Sequence, residues 1–283
     1  MKKISEFSYT EADLAALPHR PERSNKGSFG RVLCVCGSYG MAGAAYLCAL
    51  GAYRAGAGLV EIFTPEENRI ILQTLLPEAV LTVYDKDSPD TDSLAERLAA
   101  SDSVAVGCGL GKSKTALTLL KAVLKSTQTT TVIDADALNL ISEHPFLLKY
   151  AKGHIVTPHA GEMSRLTGLS IEEILKDTAR AAQEFAENNS LICVLKDHNT
   201  VVSDGTDKIY LNRSGNSGMA TGGSGDVLAG VIASLLAQRH LSLSPLEAAS
   251  FGVYIHGLAG DRAANTLGEY AVMARDIANN IRI

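Results

Sequence analysis

An acid closes a stretch otherwise suited to holding an anion. Residues 215–226 read Gly-Asn-Ser-Gly-Met-Ala-Thr-Gly-Gly-Ser-Gly-Asp, and the run 227–237 behind them is apolar almost all round. Glycine lets a backbone approach a ligand closely. A helix start leaves N–H groups free and carries partial positive charge, so the stretch reads as a phosphate cradle. Asp226 would repel that phosphate unless it serves as a general base beside it; otherwise it only complements the helix dipole. Other residues could join this chemistry. Lys196 opens the turn Lys196-Asp197-His198-Asn199-Thr200, which could hold a phosphate and a nucleoside or be a solvated connection. His159 and Glu162 fall one helical turn apart and could order water around Mg²⁺ on a polyphosphate. Asp134 and Asp136 could do the same or cap a helix.

These groups need a scaffold, and the chain alternates strand and helix signals. Strands are expected at 31–36, 59–63, 79–84, 103–107, 130–133, 154–156 and 191–195. Helices are expected near 10–17, then at 41–55, 66–75, 93–100, 114–125 and 136–142, with one long helix from 170 to about 188. A hairpin over 200–203 and 208–211 turns at Asp204-Gly205. Two helices close the chain, 244–265 and 274–281, and the first 30 residues are expected to be an irregular arm. Repeated strand–helix units imply a mainly parallel sheet with helices on both faces, a three-layer α/β sandwich. Ligands bind such sheets at the carboxyl ends of the strands. The turns 37–45, 107–111, 134–139, 157–162, 196–200 and 215–226 all fall there. The glycine turn at 37–45 fits neither the dinucleotide fingerprint nor the P-loop pattern.

Composition narrows the function. The 283 residues carry a net charge of −5, 46% hydrophobic residues and no Trp. No basic stripe suggests nucleic acid, and no apolar run is long enough for a bilayer. Met1-Lys2-Lys3 leads into polar Ser5-Glu6, so a secretory signal is not expected, and the cytoplasm is. Five cysteines at 34, 36, 48, 108 and 193 lie in apolar segments without a C-x-x-C pair, as buried thiols in a reducing compartment would. Phosphoryl-transfer α/β enzyme is as far as these residues lead by themselves.

The run 216–228, Asn-Ser-Gly-Met-Ala-Thr-Gly-Gly-Ser-Gly-Asp-Val-Leu, closely resembles the signature of the NAD(P)H-hydrate dehydratases, the C-terminal-type domain of the YjeF family. The likeness extends to Lys26-Gly27 with Gly30, Gly37-Ser38 with Gly43-Ala44, Arg54-Ala55-Gly56-Ala57-Gly58, and Gly107 to Gly111. It continues through Asp134-Ala135-Asp136-Ala137-Leu138-Asn139, Thr157-Pro158-His159 with Gly161-Glu162, and Lys196 with Thr200. The resemblance implies a ribokinase-like fold without the sugar-kinase lid, formed by residues 1–283 as one domain. It implies repair of hydrated NADH or NADPH: the S epimer is dehydrated at the expense of ADP, giving AMP and phosphate, with Mg²⁺. A vitamin-precursor or sugar kinase of the same superfamily is the alternative.

By the same resemblance Asp226 is the base. Ala44, Gly109 and His159, with Asp226, contact the hydrated dinucleotide. Lys196, Asp197, His198, Asn199, Thr200 and Gly225 contact the nucleotide. Amides of Gly223, Ser224 and Gly225 form the anion hole, and Glu162 meets Mg²⁺ through water. Asp197 stands where the family often has glycine. ATP could replace ADP, a homotetramer is the implied assembly, and the partner epimerase is expected on a separate protein.

Overall fold

The computed structural model describes residues 4–126 and 128–283. Ten strands form one sheet: β1 (Ser5–Phe7), β2 (Arg31–Val35), β3 (Leu59–Pro65), β4 (Val80–Tyr84), β5 (Ser103–Val106), β6 (Thr131–Ile133), β7 (Ile155–Val156), β8 (Ile192–Leu195), β9 (Val201–Ser203) and β10 (Lys208–Leu211). The helices are α1 (Glu11–Ala15), α2 (Ala42–Arg54), α3 (Arg69–Leu75), α4 (Thr91–Ala99), α5 (Lys114–Ser126), α6 (Asp136–Glu143), α7 (Ala160–Thr167), α8 (Ile171–Lys176), α9 (Thr178–Asn189), α10 (Ser224–Ala237), α11 (Pro245–Leu267) and α12 (Ala274–Asn279).

Strand order is β1-β10-β9-β8-β7-β6-β5-β2-β3-β4. Only β9 runs against the others, pairing antiparallel with β8 and with β10. Strand alternation sorts the side chains between two cores. In β2, Val32 and Cys34 join the core beneath α2, α10, α11 and α12, while Leu33 and Val35 join the one beneath α4, α5, α6 and α9. This is the three-layer sandwich expected from the alternation of strand and helix signals.

From β2 the chain proceeds outward through β3 and β4, then returns to β2's other side with β5. The strand order therefore switches direction between β2 and β5, the position where such sheets open a crevice. Helix α10 lies against α2 at a distance that only glycine permits. A Cβ on Gly230 would stand 1.9 Å from the Cys48 carbonyl oxygen, and one on Gly51 would stand 2.5 Å from that of Val227. This contact fixes where the N-terminus of α10 points.

Two local expectations are corrected. The helix expected from 170 to 188 is broken at Asp177, whose backbone leaves the helical region (φ −151, ψ 77). Its side chain accepts from the Arg180 N–H at 3.0 Å and so starts α9 afresh. The irregular arm contains a strand, because β1 pairs in parallel with β10.

Candidate active site

Successive turns at the carboxyl edge are stitched together. The Gly37 N–H donates to the Cys108 carbonyl (2.9 Å), that of Asp136 to the Gly107 carbonyl (3.3 Å), and that of Lys196 to the Pro158 carbonyl (2.8 Å). Gly111 N–H donates to Asp136 Oδ2 at 2.8 Å. Asp136 thus ties two turns together. Between Asp134 and Asp136, Ala135 takes φ 49, a left-handed backbone unusual for alanine. The Ala137 N–H closes that turn on the Asp134 carbonyl at 3.1 Å.

A cavity of about 1000 Å³ opens on this edge. Its floor is a charge cluster. Lys196 Nζ lies 2.7 Å from Asp134 Oδ1 and 3.9 Å from Glu162 Oε2. Thr157 Oγ1 also donates to Asp134 Oδ1, at 2.6 Å. Burial alone would pull the Lys196 ammonium down, but the Asp134 and Glu162 carboxylates outweigh it and hold it above its usual value. Burial raises Glu162, against the pull of Lys196.

His159 is the N-cap of α7. Its Nδ1 accepts from the N–H groups of Gly161 (3.0 Å) and Glu162 (3.3 Å), while Glu162 Oε2 accepts from the His159 N–H (2.9 Å). That leaves the proton of the neutral ring on Nε2, 3.5 Å from Glu162 Oε1. Burial and the charge of Lys196 keep the ring neutral by lowering its pKa. Glu162 Oε1 makes no contact with Lys196, and the residue lines the cavity as a hard oxygen donor.

Asp226 sits in the first turn of α10. Burial, reinforced by the charge of Asp134, pushes its carboxyl up to about 7. Gly223 precedes the helix at φ 90. Among the described residues the N–H groups of Gly223, Gly225 and Asp226 find no carbonyl acceptor, whereas Ser224 N–H turns back to the Thr221 carbonyl at 3.3 Å. Free amides at a helix start next to a lysine make an anion cradle. Gly225 also makes room: a Cβ there would come within 3.3 Å of Lys196 Nζ.

The cavity brings together most of the residues singled out in the sequence. His159, Glu162, Lys196, Asp197, His198, Asn199, Thr200, Gly223, Ser224, Gly225 and Asp226 all line it. Asp197 is exposed, its Oδ2 3.8 Å from His198 Nδ1. Ala44 and Gly109 do not line this cavity. They lie against each other beside it, at the β2–β5 switch point, where a Cβ on Gly109 would be 2.7 Å from that of Ala44.

A family model described as NAD(P)H-hydrate dehydratase matches residues 32–282. The chain belongs to the NAD(P)H-hydrate dehydratase family. A bifunctional NAD(P)H-hydrate repair enzyme from Coxiella burnetii is 41% identical over 267 residues, 94% of this chain and 52% of that protein. The chain therefore spans about half the length of the bifunctional relatives it matches. An ADP-dependent (S)-NAD(P)H-hydrate dehydratase from Neisseria meningitidis is 39% identical, covering 93% of this chain and 89% of its own. The ADP/ATP-dependent dehydratase of Bacillus subtilis, co-crystallised with ATP and Mg²⁺, superposes with a TM-score of 0.80 at 30% identity, covering 96% and 95% of the two chains. The ribokinase-like fold implied by the signature is the one observed.

This member of the dehydratase family has further site residues that sequence reasoning missed. His256 of α11 enters the cavity with Nε2 3.5 Å from Ser224 Oγ. Burial lowers its ring to about 4, so it is neutral near pH 7. Asp261, five residues further along α11, binds the glycine stretch: Oδ2 accepts from the Gly215 N–H and Oδ1 from Asn216 Nδ2, both at 2.9 Å. Asn212, which lines the cavity, accepts at Oδ1 from the hydroxyls of Tyr210 and Ser214, each at 2.9 Å. A histidine within the mostly apolar run 251–260 of α11 was the available signal for His256.

Proposed function

We propose that the chain is an ADP-dependent (S)-NAD(P)H-hydrate dehydratase, with residues 1–283 acting as one domain. The observation that carries the reading is Asp226: a carboxyl poised at about 7, beside free helix-start amides and Lys196. Hydroxide leaves a hydrated nicotinamide ring poorly and phosphate leaves well. Asp226 removes the proton from the ring 6-hydroxyl as that oxygen attacks the terminal phosphorus of ADP. AMP is released and a ring phosphate ester forms. The ester then expels phosphate from C6 as C5 gives up a proton, and the C5–H electron pair re-forms the C5–C6 double bond of NADH or NADPH.

Of the three amides expected to form the anion hole, those of Gly223 and Gly225 meet the charge that builds on the transferring group, whereas the Ser224 N–H is spent on the Thr221 carbonyl. Three free N–H groups, those of Gly223, Gly225 and Asp226, support this. Lys196, with Asp197, His198, Asn199, Thr200 and Gly225, holds the nucleotide. Ala44, Gly109 and His159 hold the hydrated dinucleotide; the placement of Ala44 and Gly109 at the strand switch point, and of His159 on the cavity wall, supports that half of the site. Mg²⁺ neutralises charge on the phosphates when bound. Glu162 would hold it through water, since Oε1 is not taken up by Lys196.

The same reading makes the protein cytoplasmic and homotetrameric, working together with an NAD(P)H-hydrate epimerase activity. No helix among the described residues is long and apolar enough to cross a membrane. The test is direct. Hydrated NADH is supplied with ADP and Mg²⁺, and return of the reduced-ring absorbance is followed. No recovery with either ADP or ATP overturns the proposal.

A further inference from the structure

Four of the five cysteines gather at one point of the core. Strand alternation puts Cys34 and Cys36 on the same side of the β2 segment, toward α2, and Cys48 of α2 packs on them. Cys48 Sγ is 3.8 Å from Cys34 Sγ. Cys108 comes from the turn after β5. The Sγ atoms of Cys36, Cys48 and Cys108 all lie within 4.8 Å of one another, and none of the three exposes any surface. Cys108 also meets the active site: its Sγ lies 3.8 Å from Asp134 Oδ2 and within 4.8 Å of a carboxylate oxygen of Asp226.

We propose that Cys36, Cys48 and Cys108 form a binding site for trivalent arsenic of the arsenite type, and that its occupation disables the neighbouring Asp226. Mutual contacts and burial hold these thiols well above the usual thiol range, so they are protonated in the fold. A divalent ion held by three thiolates would leave a net negative charge in an apolar core, at high cost. Arsenite avoids that cost. As(OH)₃ and three thiols give As(S-Cys)₃ and three waters: three As–O bonds break, three As–S bonds form, and each thiol proton leaves on a hydroxyl. Arsenic stays trivalent, sulfur is not oxidised, and reagent and adduct are both neutral. The uncharged reagent enters the cavity that Asp134 and Asp226 line, and Cys108 lies just behind that wall, 3.8 Å from Asp134 Oδ2. Closing three sulfurs on arsenic draws Cys108 away from Asp134 and Asp226.

The full chain incubated with sodium arsenite and examined by native mass spectrometry should gain one arsenic less three hydrogens. X-ray absorption should give arsenic three sulfur neighbours. Cys48→Ser and Cys36→Ser should each raise the half-saturating arsenite concentration by about tenfold or more. Using both, with melting curves, separates loss of the site from loss of the fold. Cys193→Ser, at a buried thiol outside the cluster, should bind as the parent does. An unmodified parent chain overturns the site, as does undiminished binding in both cluster variants or binding lost with Cys193. The effect on activity rests on the dehydratase reading, and binding does not. Arsenite should inhibit the parent with slow onset and spare Cys48→Ser. A fully formed adduct with unchanged turnover would overturn the coupling to Asp226. A chain with no turnover at all would overturn the dehydratase reading, while the mass adduct still decides the site.

Discussion

Asp226 and Asp134 are two carboxylates with opposite surroundings. Asp134 is tied to Lys196 and Thr157, whereas Asp226 is raised to about 7 by burial and the charge of Asp134, with the Cys108 thiol and Lys196 opposing only in part. Turnover should therefore climb as pH passes upward through about 7, and Asp226→Asn should lower kcat by roughly 10²–10⁴-fold while sparing ADP affinity; steady-state kinetics across pH, with calorimetric ADP titration, checks both. The same residue sets a stability trend. Its folded value lies above the ordinary 3.8, so the fold favours the protonated form. That stabilisation is complete below about pH 4 and is lost as pH rises through about 7. Asp226→Asn, neutral throughout, should gain on the order of 1–3 kcal/mol over the parent at about pH 8 and nothing near pH 4, read from denaturant unfolding. Lys196→Met should do the reverse. It strands two buried carboxylates and should cost about 3 kcal/mol at neutral pH, with weakened ADP binding. Asp226 was legible because it sat in an unusual glycine run. His256 was not, because its meeting with Ser224 depends on how α11 packs on α10, which no local pattern encodes.

Among the elements, α10 governs the site. It carries the cradle at one end and is buried on nearly every side, so its position is set by packing rather than by its own capping: Gly223 supplies no side-chain cap. Gly230→Ala would put a Cβ 1.9 Å from the Cys48 carbonyl oxygen and force α2 and α10 apart. We expect a loss of about 1–3 kcal/mol in thermal unfolding and a fall in kcat larger than the change in KM. Strand–helix alternation exposed most elements to sequence reasoning, since period and glycine punctuation are local. The break at Asp177 escaped it because the Ser170–Glu173 helix start and the good helix formers on both sides of Asp177 read as one helix. Strand β1 escaped for another reason: three residues make a strand only because β10 offers them an edge.

For the whole molecule, the carboxyl edge collects every turn on which the site depends, and hydrogen bonds between turns make them one surface. A ligand that fills this edge should stabilise the entire sheet. ADP with Mg²⁺ at a hundredfold excess over its Kd should add about 2.7 kcal/mol to unfolding, measured as a concentration-dependent rise in Tm. Absence of that rise in the parent, or an equal rise in Lys196→Met, would count against the nucleotide site.

The reversed strand β9 carries a consequence of parity. Strand β8 arrives at the carboxyl edge with Lys196, β9 leaves that edge, and β10 comes back to it before the glycine stretch begins. An odd number of crossings after β8 would deliver α10 to the opposite rim, with its positive end and Asp226 a full strand length from Lys196. Insertions or losses in this part of the chain can preserve chemistry only when strands are added or removed two at a time.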